Sequence, residues 1–266
     1  MPRTLHGPGV GADRSPIAKS ARPFTQMLTA TRVVPGSVTV GYLDPGTWSA
    51  CFGLSYRDLL LADMSGAGRI VGAELRVVAG SGDIPAGRNL ICRQFLAAET
   101  EWLWMVDSDM GFAPDTVDRL VDMADPVCRP VMGALCFGLK HSEHGPFHAQ
   151  RYDIQPTLYA HHRHGFQVVL DYPRDRVVQV AATGAACLLI HRNALLTVLD
   201  RHGPVWFDPI STEFGTFSED LSFCLRLADA DIEPYVHTGV KTTHHKHGSY
   251  LDEQAYDASR RQKIVM

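Results

Sequence analysis

The chain has 266 residues, 45% hydrophobic and 20% charged, enough to bury a full core in one globular domain and too apolar for a disordered protein. A formal net charge of -4 and the lack of any long lysine or arginine block exclude the footprint of strong, nonspecific nucleic-acid binding. No apolar run approaches the roughly 20 residues that span a bilayer, so no transmembrane segment is expected.

Residues 1–36 are rich in Gly, Pro, Ser and isolated basic residues, the composition of a flexible arm that buries too little surface to offset its ordering entropy. The folded domain is expected over 37–250, followed by a tail over 251–266. "SVTVGYL" (37–43) predicts a strand that stops at Asp44-Pro45-Gly46, and a helix is expected over about Trp48 to Met64. "RIVGAELRVV" predicts a second strand, ending at the turn Gly80-Ser81-Gly82-Asp83. Pro85 suits the first turn of the next helix, whose Ile91, Phe95 and Ala98 follow the spacing of a face packed on a sheet.

"WLWMVDSDMGF" (102–112) comes next, a buried strand running into Asp107-Ser108-Asp109. Pro114 then leads a helix with Val117, Leu120, Val121 and Ala124 on one face. Strands alternating with helices over short connections predict an α/β fold whose central sheet is mostly parallel and flanked by helices. Ligands of such sheets bind at the carboxyl ends of the strands, where the two aspartates lie. From Pro126 the rhythm changes to strands of a mixed or antiparallel region. A long histidine-rich connection holds His141, His144, His148, His161, His162 and His164 and suits a mobile acceptor loop better than a zinc site.

Side chains at i and i+2 of an extended segment point the same way, roughly 6–7 Å apart, so Asp107 and Asp109 can address one hard cation such as Mg²⁺ or Mn²⁺. Two acids after a strand also suit a solvated turn. Arg88, near the start of its helix, can meet phosphate bidentately or can be a surface arginine. Glu219 and Asp220 follow Ser218, a candidate N-cap, and acids in a first helical turn are favoured by the dipole alone. The expected buried face of that helix is Leu221, Cys224, Leu225 and Ala228. "VHTGVKTTHHKHG" supplies His237, His244, His245 and His247 after the last expected strand, as ligands or as a basic tail. The six cysteines, Cys51, Cys92, Cys128, Cys136, Cys187 and Cys224, form no CxxC pair and lie in apolar stretches, the usage of buried, reduced thiols in a cytoplasmic protein.

"GRNLICRQFLAAETEWLWMVDSDMGFAPDTVDRL" resembles the core of nucleotide-sugar-dependent glycosyltransferases of the GT-A fold, especially the family 2 group: Arg-Asn opening a helix, a hydrophobic strand, DxD and a Pro-led helix. "TFSEDLSFCLRLADADIEPYV" is similar to that group's later acidic motif, and Thr183-Gly184-Ala185-Ala186 to its small-residue turn below the acceptor. The resemblance, spanning about 37–247, implies a GT-A (Rossmann-like) fold with a smaller antiparallel acceptor-side region. It implies that Asp107 and Asp109 hold a divalent ion against the donor diphosphate, that Arg88 contacts the donor, and that Asp220 is the general base, with Glu219 orienting the acceptor or acting as base itself. A downstream histidine, His244 first and His245 second, would complete the metal site and favour Mn²⁺ over Mg²⁺. Asp44 and Trp48 are candidates for the base-binding end.

A UDP-sugar is the favoured donor and a GDP-sugar the second; the acceptor is open among glycan, lipid, protein and modified nucleobase. The chain lacks the Q/RxxRW motif of processive synthases, so chain polymerisation is not expected. Two other classes stay open: a two-metal nucleotidyltransferase or phosphodiesterase built on Asp107, Asp109 and Asp220, and a non-catalytic nucleotide-sugar binder.

Overall fold

The computed structural model describes residues 32–71, 74–79, 83–141, 152–163 and 165–264. Most of the expected N-terminal arm lies outside these residues, as do His144, His148 and His164. The chain begins with β1 (Val34–Asp44), α1 (Ala50–Ser65), β2 (Leu75–Val78), α2 (Ile84–Ala97), β3 (Thr100–Val106), β4 (Met110–Phe112) and α3 (Thr116–Met123). A strand-rich middle follows: β5 (Val131–Leu135), β6 (Phe137–His141), β7 (Tyr152–Pro156), β8 (Leu158–His162), β9 (Gly165–Val168), β10 (Val177–Gln179), β11 (Ala182–Thr183) and β12 (Cys187–His191). The last part is α4 (Arg192–His202), β13 (Ser211–Thr212), β14 (Gly215–Thr216), α5 (Glu219–Asp229), β15 (Tyr235–Lys246), β16 (Ser249–Leu251) and α6 (Glu253–Ile264).

The main sheet has the order β10-β15-β5-β12-β3-β1-β2, and the far end of β15 also pairs with β4 and β16. β1 is parallel to β2 and β3, and β15 is parallel to β5; β12 runs antiparallel between β3 and β5, and β10 antiparallel beside β15. This is the mixed, mostly parallel α/β sheet flanked by helices that the strand-helix rhythm predicts, with small antiparallel sheets β11-β8-β9, β13-β14 and β6-β7 beside it.

Period-two alternation explains the continuous apolar run of β3. Trp102, Trp104 and Val106 enter the core formed with Phe52, Tyr56 and Leu59 of α1 and Leu120 of α3. Leu103 and Met105 point to the opposite core, where Ile91 and Phe95 of α2 meet Leu195 and Val198 of α4 and Phe223 and Leu227 of α5. Both faces of the strand are covered, which demands apolar side chains at successive positions. The chain turns polar only when β3 leaves the sheet.

The helices start where their chemistry directs. The Ser49 hydroxyl accepts from the Phe52 amide at 3.2 Å and caps α1, and proline occupies the first turn of α2. Several expectations are corrected. β2 is shorter than "RIVGAELRVV"; among the described residues upstream of it, Ile70 bridges to Val38. The buried residues of α5 are Phe223, Cys224 and Leu227 with Ser222 and Arg226, while Leu221, Leu225 and Ala228 are only half-buried. Phe223 stacks on Phe207 with ring centroids 4.5 Å apart, and this contact rotates the helix away from the expected phase. The expected tail carries α6, tied by Glu253 to Lys241 at 2.7 Å and by Asp257 to Arg174. All six cysteines are free thiols, and Cys128 is exposed rather than buried.

Candidate active site

β3 ends at Val106, and the next three residues form a turn, not the extended segment the i, i+2 reading assumed. The Met110 amide donates to the Asp107 carbonyl at 3.1 Å, and the Asp107 amide to the Ala186 carbonyl at 2.9 Å. The reversed chain then pairs with β15 through β4. A turn sends its two acidic side chains to different partners, which the extended geometry would not do.

Asp107 meets Arg88. Its Oδ1 accepts from Arg88 Nη2 at 2.9 Å, and Arg88 Nη1 donates to Glu219 Oε1, also at 2.9 Å. The arginine is no surface residue: its side chain is 5% exposed, because Gly87 lets α2 approach the sheet. A Cβ at Gly87 would lie 2.6 Å from Leu43 Cδ2. Asn89 braces the same region, donating to Asp208 at 2.6 Å and accepting from the Phe207 amide at 2.8 Å. Phe207 thereby lies under the guanidinium, 5.7 Å from ring centroid to Arg88 Cζ. Burial works against the arginine's charge, but Asp107, Glu219 and Asp220 outweigh it and hold the group protonated.

Asp109 meets the other end of the fold. Its backbone carbonyl accepts from the His245 amide at 2.9 Å, its Oδ2 from Lys246 Nζ at 2.6 Å, and its Oδ1 lies 3.3 Å from His244 Nε2. Burial pushes the carboxyl up, but His244 and Lys246 more than reverse this and hold it at about 2. The histidines expected after the last strand lie within β15, apart from His247 in the turn that follows. Strand alternation sends His244 and Lys246 toward Asp109, while the His245 ring stacks on Tyr250, its centroid 4.8 Å away. His237 lies where β15 pairs with β10, away from this cluster.

His244 Nδ1 lies 2.8 Å from the Phe137 carbonyl, which can only accept, so Nδ1 donates there and Nε2 is the ring atom turned to Asp109 Oδ1. Both facing atoms are buried. A proton or a cation between them satisfies both. A carbonyl behind the ring is also what fixes the tautomer and orientation of metal-ligating histidines. The pair Asp109 and His244 thus has the donor chemistry of a cation site, and a shared proton satisfies it equally. Among the described residues, however, no three His, Cys, Asp or Glu side chains converge on one point, so neither Asp220 nor His245 joins the pair. Beneath the acids, burial pushes the Cys136 thiol up to about 12, which leaves it protonated and unsuited to ligation.

Leu43, Pro45, Ala79 and Ile84 form an apolar slot that opens onto Arg88, Asp107, Ser108, Asp109 and Lys246, a cleft of about 160 Å³. Asp44 does not reach it: its buried carboxylate is bound by Arg76 and by the Gly46 amide, the latter at 2.7 Å. Trp48 also stays outside, packed edge-on against Tyr42, Phe52 and Tyr56 and partly exposed.

Asp220 lies in the first turn of α5. Its Oδ1 accepts from the Ser218 hydroxyl and, at 2.9 Å, from the Leu221 amide, so Ser218 holds the carboxylate rather than capping a helical amide. Its Oδ2 faces Gly184, 3.5 Å from where a Cβ would sit, in the small-residue turn after β11. Tyr159 lies nearby; burial and then the Asp220 charge push its phenol up to about 12. Beyond it, Phe166 lies 6.5 Å from Tyr159 and 5.9 Å from Phe217, centroid to centroid, forming a half-exposed aromatic ridge. Lys246, Phe207 and this ridge were not among the expected site residues. The i, i+2 spacing of His244 and Lys246 was the available signal for the lysine.

No protein-family model matches the chain, and no curated protein matches it by sequence. Among solved structures it is similar to A197 from STIV, at 13% identity and a TM-score of 0.46 over 82% of this chain and 91% of that one. It is also similar to a glycosyltransferase involved in the glycosylation of the major capsid of PBCV-1, at 14% identity and a TM-score of 0.30 over 60% and 62% of the two chains. Likenesses this distant carry no argument about activity. Among the described residues, no helix is long and apolar enough to cross a membrane.

Proposed function

We propose that the chain is a metal-dependent glycosyltransferase that moves a sugar from a nucleoside diphosphate to an acceptor hydroxyl, with UDP-sugars favoured and GDP-sugars second. The observation that carries this reading is the two-part cleft at the carboxyl end of the mostly parallel sheet. Its apolar end suits a flat base, and its charged end suits a diphosphate bridged to carboxylates. The sequence resemblance to GT-A enzymes supplies the reaction class.

Asp109 and His244 would hold the cation, with Asp107 lining the same cleft, and an imidazole ligand favours Mn²⁺ over Mg²⁺. When bound, the metal supplies charge neutralisation for the leaving diphosphate. Arg88 offers a fixed positive charge on the same side, and Glu219, already engaged by it, positions that guanidinium instead of acting as a base. Asp220 accepts the proton of the acceptor hydroxyl as its oxygen bonds to the anomeric carbon and the bond from that carbon to the diphosphate oxygen breaks. Its Oδ1 is tied down by Ser218 and Leu221, and Oδ2 opens toward Gly184, where the missing side chain leaves room for an acceptor. The aromatic ridge lies on that side. The two-metal reading has less support, since Asp220 does not converge with the aspartate pair.

Thermal unfolding with UDP, GDP, CDP and ADP, each with and without Mn²⁺, tests the reading. One nucleotide should stabilise the protein with Mn²⁺, by about 3 kcal/mol at a hundredfold excess over its Kd, and much less without the metal. Indifference to all four overturns the proposal. Anomeric NMR of the product then separates inversion, in which Asp220 is the base, from retention, in which it positions substrate.

A further inference from the structure

Lys246 is a charged side chain of the cleft with no task in the transfer reaction as proposed. It is the last residue of β15, followed by His247 and Gly248 at φ 50° and 78°, so its backbone is fixed at the edge of a tight turn. Its stem is flexible and 40% exposed, and its ammonium lies 2.6 Å from Asp109 Oδ2 while lining the cleft with Arg88, Asp107 and Ser108. Asp107 and Asp109 line the same cleft, the first paired with the buried Arg88 and the second with Lys246.

A divalent ion on Asp109 and an ammonium hydrogen-bonded to the same carboxylate are like charges within a few ångströms. Both cannot keep the positions they would take alone. Arg88 is buried and doubly paired and cannot yield, whereas Lys246 is half-exposed on a flexible stem. The anion it can turn to is the diphosphate that enters the same cleft.

From this we propose that Lys246 is a displaceable placeholder: it occupies Asp109 in the metal-free protein, opposes binding of the metal alone, and moves onto the donor diphosphate when metal and nucleotide arrive together. The inference rests on the donor and metal reading of the cleft. It makes a mechanistic commitment that reading does not, namely that one side chain couples two ligands. By linkage, whatever the nucleotide adds to metal affinity the metal adds equally to nucleotide affinity.

The test compares the parent with Lys246→Met, which keeps the aliphatic stem and removes the charge, and with Lys246→Arg, which keeps the charge. Mn²⁺ binding is followed by electron paramagnetic resonance without nucleotide, and UDP binding by calorimetry in saturating Mn²⁺. Lys246→Met should bind Mn²⁺ alone about three- to tenfold more tightly, since an ion pair no longer competes. It should bind UDP with Mn²⁺ about tenfold more weakly, having lost a charge-assisted contact. Lys246→Arg should stay nearer the parent in both. The opposite signs are the signature, because a merely structural lysine would weaken both or neither. If the parent binds UDP and Mn²⁺ and Lys246→Met matches it in both measurements, or loses metal affinity, the placeholder is overturned and the transferase reading stands. If the parent binds neither UDP nor Mn²⁺ under any condition, the transferase reading fails and the lysine proposal falls with it.

Discussion

The proposed donor cleft and the proposed acceptor side are built on different terms. On the donor side, charges from four distant segments are paired before any ligand arrives: Arg88 with Asp107 and Glu219, and Asp109 with Lys246 beside His244. They stand on the ends of the main sheet and on a helix pressed onto it. On the acceptor side, small antiparallel strands carry half-exposed rings, and the carboxylate in play, Asp220, is held by its own helix turn. The donor side is preorganised electrostatics, for which structure and chemistry are inseparable. The acceptor side leaves chemistry separable from stability, as suits a surface that adapts to its substrate.

Substitutions can break that contrast. The largest effect is expected at Asp220→Asn, where transfer should fall by about 10²–10⁴-fold with UDP and Mn²⁺ affinities unchanged. Single-turnover assays alongside calorimetry check this, and a parallel loss of nucleotide binding would move Asp220 to the donor side. Next is Arg88→Met, which leaves Asp107 and Glu219 facing each other without their cation. Its cost should be about 3–5 kcal/mol of unfolding free energy in urea. The exposed acceptor-side His162→Ala should stay within about 0.5 kcal/mol. Equal costs at the two positions would erase the distinction.

The smallest effect is a pH dependence outside the cleft. Burial lowers the pKa of His191 and His237 below the usual histidine value, with Glu101 and Asp175 respectively acting in the opposite direction. A folded-state pKa below the unfolded one means the neutral ring is the stabilising form. Its contribution is complete above the unfolded value of about 6.5 and is lost as pH falls through the folded one. The melting temperature should therefore drop as pH falls below about 6.5. His191→Asn should flatten the drop, because Asn can still receive the Asn193 amide that His191 Nδ1 accepts at 3.1 Å but does not titrate. An unchanged slope would remove His191 from the account.

The same contrast explains how much the sequence disclosed. The parallel half is written in strong local signals: apolar runs covered on both faces, proline at a helix start, and acids where a strand leaves the sheet. The grouping of Arg88, Asp107, Asp109 and His244 rests instead on the resemblance to GT-A enzymes, since those signals by themselves leave Arg88 on a surface and His244 in a basic tail. What the sequence hides is pairing. Nothing local tells that Arg88 is buried and shared between Asp107 and Glu219, because its partners lie 19 and 131 residues away. Nor did the tract "TTHHKHG" read as strand, since its polar residues mask an alternation that only pairing with β4 and β16 fixes. Asp44 and Trp48, plausible by position at the end of the first strand, turn to Arg76 and to an aromatic cluster instead.

β15 is at once a plank of the sheet interior and the carrier of His244 and Lys246. Removing a single residue from 241–243 would exchange inside for outside along its last segment and deliver His245 and His247 in place of His244 and Lys246. Such a deletion keeps an imidazole within reach of Asp109 and discards the ammonium. In this stretch, reading frame along the backbone decides which side chains face Asp109.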